Sequence, residues 1–134
     1  VLRLRAESYA RIVGLAYDGL PDEVCGLVAG RPGSAAVEAF YPCRNTAESS
    51  RVYAIDPREH LRIDRMAEDS GWEVCGVVHS HTHTDAYPSP TDVAQAPDPT
   101  WHYLIVSLRD EAPVLRSFRI IDGTIAEEPI ALVP

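Results

Sequence analysis

The sequence predicts a mixed α/β (α+β) fold, one domain over residues 1–134 with a mixed β-sheet flanked by helices. Three observations predict it. Two short apolar runs, at 23–30 and 72–80, read as strands buried on both faces, the kind found in sheets covered by helices. Two other segments repeat their apolar residues at helical spacing. The last third alternates like β-structure and contains Asp122-Gly123, a two-residue hairpin signal. A length of 134 residues, 46% of them hydrophobic, suits one domain with its own core.

The elements follow in order. Val1-Leu-Arg-Leu4 alternates as a short strand. Tyr9, Ile12, Val13 and Ala16 share one face of a helix that ends near Gly19-Leu20-Pro21. The strand at 23–30 follows, and the turn Arg31-Pro-Gly-Ser34 leads to a hairpin partner around residues 36–41. Residues 51–55 read as a further strand. Pro57 starts a helix that runs to about Ser70, with Ile63, Met66 and Ala67 on one side. After the strand at 72–80 come strands at 101–108, 114–121 and 124–130. The tetrapeptide Glu-Val-Cys-Gly occurs twice, at Glu23 and at Glu73, and opens both buried strands. Four residues are too few for a repeat; two central strands with similar packing needs account for it.

Composition narrows the function. A formal net charge of −8 and the lack of any Lys/Arg run disfavour nucleic acid and anionic membranes as partners. Three cysteines (Cys25, Cys43, Cys75) without a Cys-x-x-Cys pair make a poor disulfide framework and point to a reducing, cytoplasmic location. No stretch reads as a secretion signal, and the longest apolar run is too short to cross a bilayer.

The chemistry concentrates in His79-Ser-His-Thr-His-Thr-Asp-Ala-Tyr-Pro-Ser89-Pro-Thr-Asp92. Residues two apart on a strand face the same way, so His79 and His81 can converge on one metal ion. Imidazole is a favoured zinc ligand, and catalytic zinc sites use three protein ligands with one position left open. Pro90 after Ser89 marks a helix start. Ser89-x-x-Asp92 is then a capping box, and the same geometry carries Asp92 back toward the imidazoles. A three-histidine site with His83 is the alternative; it needs an extended chain through Thr84, where Asp85, Pro88 and Pro90 signal a loop. His60 and His102 show no partner pattern. Glu73, six residues before His79 on the same strand, lies roughly 20 Å away and is out of reach. Glu23 opens a different buried strand and can sit across the sheet from His79. Its plainer reading is a charged strand end after Pro21-Asp22.

These residues resemble the signature of the JAMM (MPN+) metalloprotease family: a distant Glu, then His-x-His, seven residues, Ser, two residues, Asp. Here they are Glu23, His79-Ser-His81, Ser89 and Asp92. Thr82 stands where many members have Pro, a change in the loop and not in a ligand. The resemblance implies a cytidine-deaminase-like fold and a zinc ion (Zn2+) held by His79, His81 and Asp92. It also implies Glu23 as acid/base and Ser89 as hydrogen-bond donor to the oxyanion. The segments at 86–93 and 115–123, with Glu127-Glu-Pro129, are similar to bacterial members that process a small ubiquitin-like sulfur-carrier protein. For those members the expected reaction is hydrolysis after the carrier's C-terminal Gly-Gly, releasing cysteine or a short extension. An isopeptidase of the same chemistry and a non-catalytic scaffold of the same fold are the competing readings. The full ligand set argues against the scaffold.

Overall fold

The computed structural model describes residues 1–134. In chain order the elements are β1 (Leu2–Arg5), α1 (Ala6–Asp18), β2 (Cys25–Gly30), β3 (Ala36–Val37), β4 (Ala39–Cys43) and α2 (Pro57–Asp69). They continue with β5 (Glu73–His81), α3 (Pro90–Ala94), β6 (His102–Ser107), β7 (Val114–Ile121), β8 (Thr124–Glu128) and β9 (Ile130–Val133). Six strands form the main sheet in the order β4-β2-β5-β6-β7-β8, antiparallel except for β5 beside β6. A small parallel sheet, β3-β1-β9, stands apart. The fold is the mixed α/β architecture that the sequence predicts.

The main sheet is covered on both faces, which explains its apolar central strands. One face meets α1 and the small sheet through Leu2, Leu4, Ile12, Val28, Val78 and Leu104. The other packs Ile63 of α2 with Leu27, Val77, Tyr103, Ile105 and Phe118. Gly76 is required where β5 meets β6, because a Cβ there would collide with the carbonyl oxygen of His102. The hairpin at Asp122-Gly123 is type I′, with φ of 50° and 76° at its two central residues.

Several expectations need correction. Residues 51–55 form no strand: they bond mainly to side chains, with Ala54 N donating to Asn45 Oδ1 (3.0 Å) and Asn45 Nδ2 to the Val52 carbonyl (3.0 Å), and one backbone bond from Thr46 N to the Ala54 carbonyl (2.9 Å) builds no ladder. The stretch at 36–41 is two strands in two sheets, divided at Glu38, whose carboxylate pairs with Arg5 at 2.6 Å. The stretch at 124–130 likewise divides at Pro129, which has no N–H for a ladder; beyond it the chain joins β1. Finally, β2 begins at Cys25 and not at Glu23, since Val24 N donates to the Ser80 hydroxyl (2.8 Å) rather than to a backbone partner.

Candidate metal centre

The strand β5 ends in His79-Ser80-His81, with both imidazoles on the α2 face of the sheet. Both residues are 4% exposed. The chain turns at 82–84, and Ser107 Oγ holds that turn by donating to the Thr84 carbonyl (2.5 Å). It then returns as α3 with Ser89 as N-cap. Both halves of the capping box are present: Asp92 N donates to Ser89 Oγ (3.1 Å) and Ser89 N to Asp92 Oδ2 (2.9 Å).

That cap aims the Asp92 carboxylate at both histidines. Asp92 Oδ1 is 3.2 Å from His79 Nε2, Asp92 Oδ2 is 3.0 Å from His81 Nε2, and the two Nε2 atoms are 3.2 Å apart. Tetrahedral ligands about 2.0–2.1 Å from one zinc ion lie roughly 3.3–3.4 Å from each other. The three side chains therefore fit a shared metal ion with little movement. His81 Nδ1 donates to the Asp85 carbonyl (2.6 Å), which orients the ring with Nε2 toward Asp92 and His79. The Tyr53 ring stacks on His79 at 4.5 Å and 24° and fixes that ring's plane.

Electrostatics match the geometry. Burial pushes the Asp92 carboxyl up, but the hydrogen bonds of His79 and His81 and of the Ser89 amide outweigh it and hold it well below the usual carboxylate range. Burial lowers His79. For His81 burial also opposes the charge, yet Asp92 and the Asp85 carbonyl win and raise it.

Glu23 is 4% exposed, and burial raises its carboxyl to about 7, against the opposing pull of His81 and with added repulsion from Asp92. Its Oε1 has no hydrogen-bond partner. A buried, unpaired carboxyl poised near neutrality is suited to moving protons. It lines a cavity of about 350 Å3 together with His81 and Ser89.

The structure thus brings Glu23, His79, His81, Ser89 and Asp92 together. His83 is exposed beyond the strand end, lining the same cavity without joining the His79–His81–Asp92 cluster. Glu73 pairs with Gly30 at the far end of β5. His102 is buried and hydrogen-bonded to the Glu128 carboxylate (2.7 Å), away from the site. Sequence reasoning missed Asn45 and Tyr53. Asn45 Nδ2 donates to the carbonyls of Glu23 and Val52 (both 3.0 Å), and its Oδ1 accepts from Ala47 N and Ala54 N (both 3.0 Å). A lone Asn in a polar loop was the available signal, since its side chain substitutes for backbone partners.

Two imidazoles and a carboxylate converging at the end of a central strand, beside a buried glutamate, define a hydrolase of the JAMM type. The family model for prokaryotic homologs of the JAB domain matches residues 5–121, and the chain belongs to that family. It is 42% identical over 134 residues to the CysO-cysteine peptidase of Mycobacterium tuberculosis, covering 99% of this chain and 92% of that one. The desampylase of Haloferax volcanii is 38% identical over 111 residues, covering 79% of this chain and 80% of that one. Among solved structures, a Desulfitobacterium hafniense protein superposes with a TM-score of 0.90 at 36% identity, over 99% of this chain and 93% of that one.

Proposed function

We propose that this protein hydrolyses the amide bond after the C-terminal Gly-Gly of a ubiquitin-like sulfur-carrier protein, with zinc held by His79, His81 and Asp92. The observation that carries the reading is the five-residue constellation, on a chain that aligns almost end to end with a CysO-cysteine peptidase. Zinc bound to these ligands supplies Lewis acidity and lowers the pKa of water.

Glu23 takes the proton of the attacking water and delivers it to the departing amine. The C–N bond breaks, the carbonyl carbon gains the hydroxyl, and the amine leaves with the transferred proton. A carboxyl near 7 suits both halves of that transfer. Ser89 Oγ already accepts from Asp92 N, so its own proton is free to donate to the oxyanion as charge develops there. A short connection supports a small substrate tail: α3 ends at Ala94 and β6 begins at His102, without a long insertion between them.

The test is incubation of the zinc-loaded protein with a carrier ending in Gly-Gly-Cys, followed by mass spectrometry of the intact carrier. Loss of one cysteine, abolished by a chelator and restored by zinc, is the expected result. An unchanged carrier mass at full zinc occupancy sinks the substrate assignment.

A further inference from the structure

The cavity beside Glu23 contains a feature that the hydrolytic chemistry does not use. None of its eight lining residues is hydrophobic, and Arg51 is the one Arg or Lys among them. In a chain of net charge −8, a cation lining this cavity needs a reason. The Arg51 side chain is exposed and has no hydrogen-bond or ion-pair partner. In the loop after β5, the acidic Asp85 is engaged by Arg109 at 2.6 Å.

Its backbone, by contrast, is firmly held. Arg51 N and Val52 N both donate to Ser49 Oγ (3.0 and 3.3 Å), and Thr82 Oγ1 donates to the Ser50 carbonyl (3.2 Å). Asn45 ties the same loop to the carbonyl of Glu23 (3.0 Å). The loop that carries Arg51 is therefore anchored to the acid/base residue itself and to the end of β5. A long cationic side chain on a fixed base loses less freedom on binding than one on a mobile loop.

The substrate chemistry supplies the missing partner. When the leaving group is a single amino acid or a very short extension, its free α-carboxylate lies within a few bonds of the scissile amide. That anion enters a cavity already lined by Glu23, beside Asp92, and would be repelled unless a cation meets it. A guanidinium is suited to this, because its fork matches a carboxylate with two parallel hydrogen bonds. At about 350 Å3 the cavity lies at the small end of ligand sites, which fits one or two residues and not a folded protein.

We infer that Arg51 binds the terminal α-carboxylate of the leaving group and makes the enzyme selective for short, free-acid C-terminal extensions. This rests on the carrier-processing reading above. An isopeptidase acting on a lysine side chain has no such carboxylate beside its scissile bond, so Arg51 also separates those two substrate classes.

Two carriers that differ only at the last atom test it: one ends in Gly-Gly-Cys as the free acid, the other as the carboxamide. With zinc-loaded wild type, kcat/KM for the acid should exceed that for the amide by about tenfold or more, mostly through KM. Arg51→Gln should bring the ratio close to one by lowering the acid's value, and Arg51→Lys should restore part of it. In a Glu23→Gln background that does not turn over, the acid should bind more tightly than the amide by a similar factor, and adding Arg51→Gln should remove that difference. Equal cleavage of acid and amide by wild type, or a preference that survives Arg51→Gln, overturns the inference while leaving the carrier reading intact. Cleavage of neither carrier overturns the carrier reading and this inference with it.

Discussion

Glu23 and His81 line the same cavity, brought there from two neighbouring strands. The antiparallel ladder ends where Cys25 pairs with His79, and Ser80 N donating to the Val24 carbonyl (3.0 Å) keeps the chain just before β2 beside the end of β5. The repeated Glu-Val-Cys-Gly therefore has opposite outcomes in its two copies. Because β2 and β5 run antiparallel, Glu23 lies at the His79–His81 end of the sheet, and Glu73 lies at the other end, exposed and opposite Gly30.

That placement makes Glu23 testable apart from the metal. Glu23→Gln keeps the shape and removes the titrating oxygen. Zinc content by mass spectrometry should match wild type, while single-turnover hydrolysis should fall by about 10²–10⁴. Near-normal turnover at full zinc occupancy would show that another group moves the proton.

Ser89 and Asp92 share a helix cap and differ in their second task. Replacing either with Ala should cost about 1 kcal/mol in metal-free stability, measured by denaturant unfolding. Asp92→Ala should also lose zinc. Ser89→Ala should retain it and lose about 10²–10³ in turnover, the scale of one oxyanion donor. Loss of zinc from Ser89→Ala, to the extent seen in Asp92→Ala, would reduce Ser89 to a cap.

Zinc affinity should depend on pH. Against the effect of burial, Asp92 and the Asp85 carbonyl raise His81 above the usual imidazole value, so it keeps its proton to higher pH than an ordinary histidine. That proton must leave before Nε2 can bind a metal. Affinity measured with a competing chelator should fall by about tenfold or more between pH 7.5 and 5.5, and loading should release protons in weakly buffered solution. A pH-independent affinity would exclude His81 as a ligand.

The pair His102–Glu128 predicts an acid-sensitive core away from the site. Burial pushes the Glu128 carboxyl up, but His102 outweighs it by hydrogen bond and charge, with help from Ser117 Oγ (2.9 Å), and the net shift is downward. A carboxyl whose folded value is depressed stabilises the fold above its ordinary value near 4.5 and loses that contribution as pH falls through the folded value. Glu128→Gln should cost about 1–2 kcal/mol at pH 7 and much less at pH 3. An equal cost at both values would mean that the carboxylate charge is not what stabilises this region.

Much of the site is legible along the chain because its relations are local. His79 and His81 share a face through the two-residue period of a strand, and Ser89 and Asp92 meet through one turn of a capped helix. Both relations act over a few residues and survive in the structure as read. The errors fall where the backbone finds partners far away in sequence. Residues 51–55 have strand-like composition, yet Asn45 satisfies them as a loop. The splits at Glu38 and Pro129 follow from a second sheet that no local pattern announces.

By itself, the sequence determined the class of fold, the pair of imidazoles and the capped aspartate, since periodicity and capping are short-range effects of covalent geometry. Only the tertiary structure decided that Glu23 shares a cavity with His81, that Tyr53 stacks on His79, and that Asn45 anchors the Arg51 loop to Glu23. Those relations depend on strand register, and register is chosen by burying two apolar faces at once across residues dozens of positions apart.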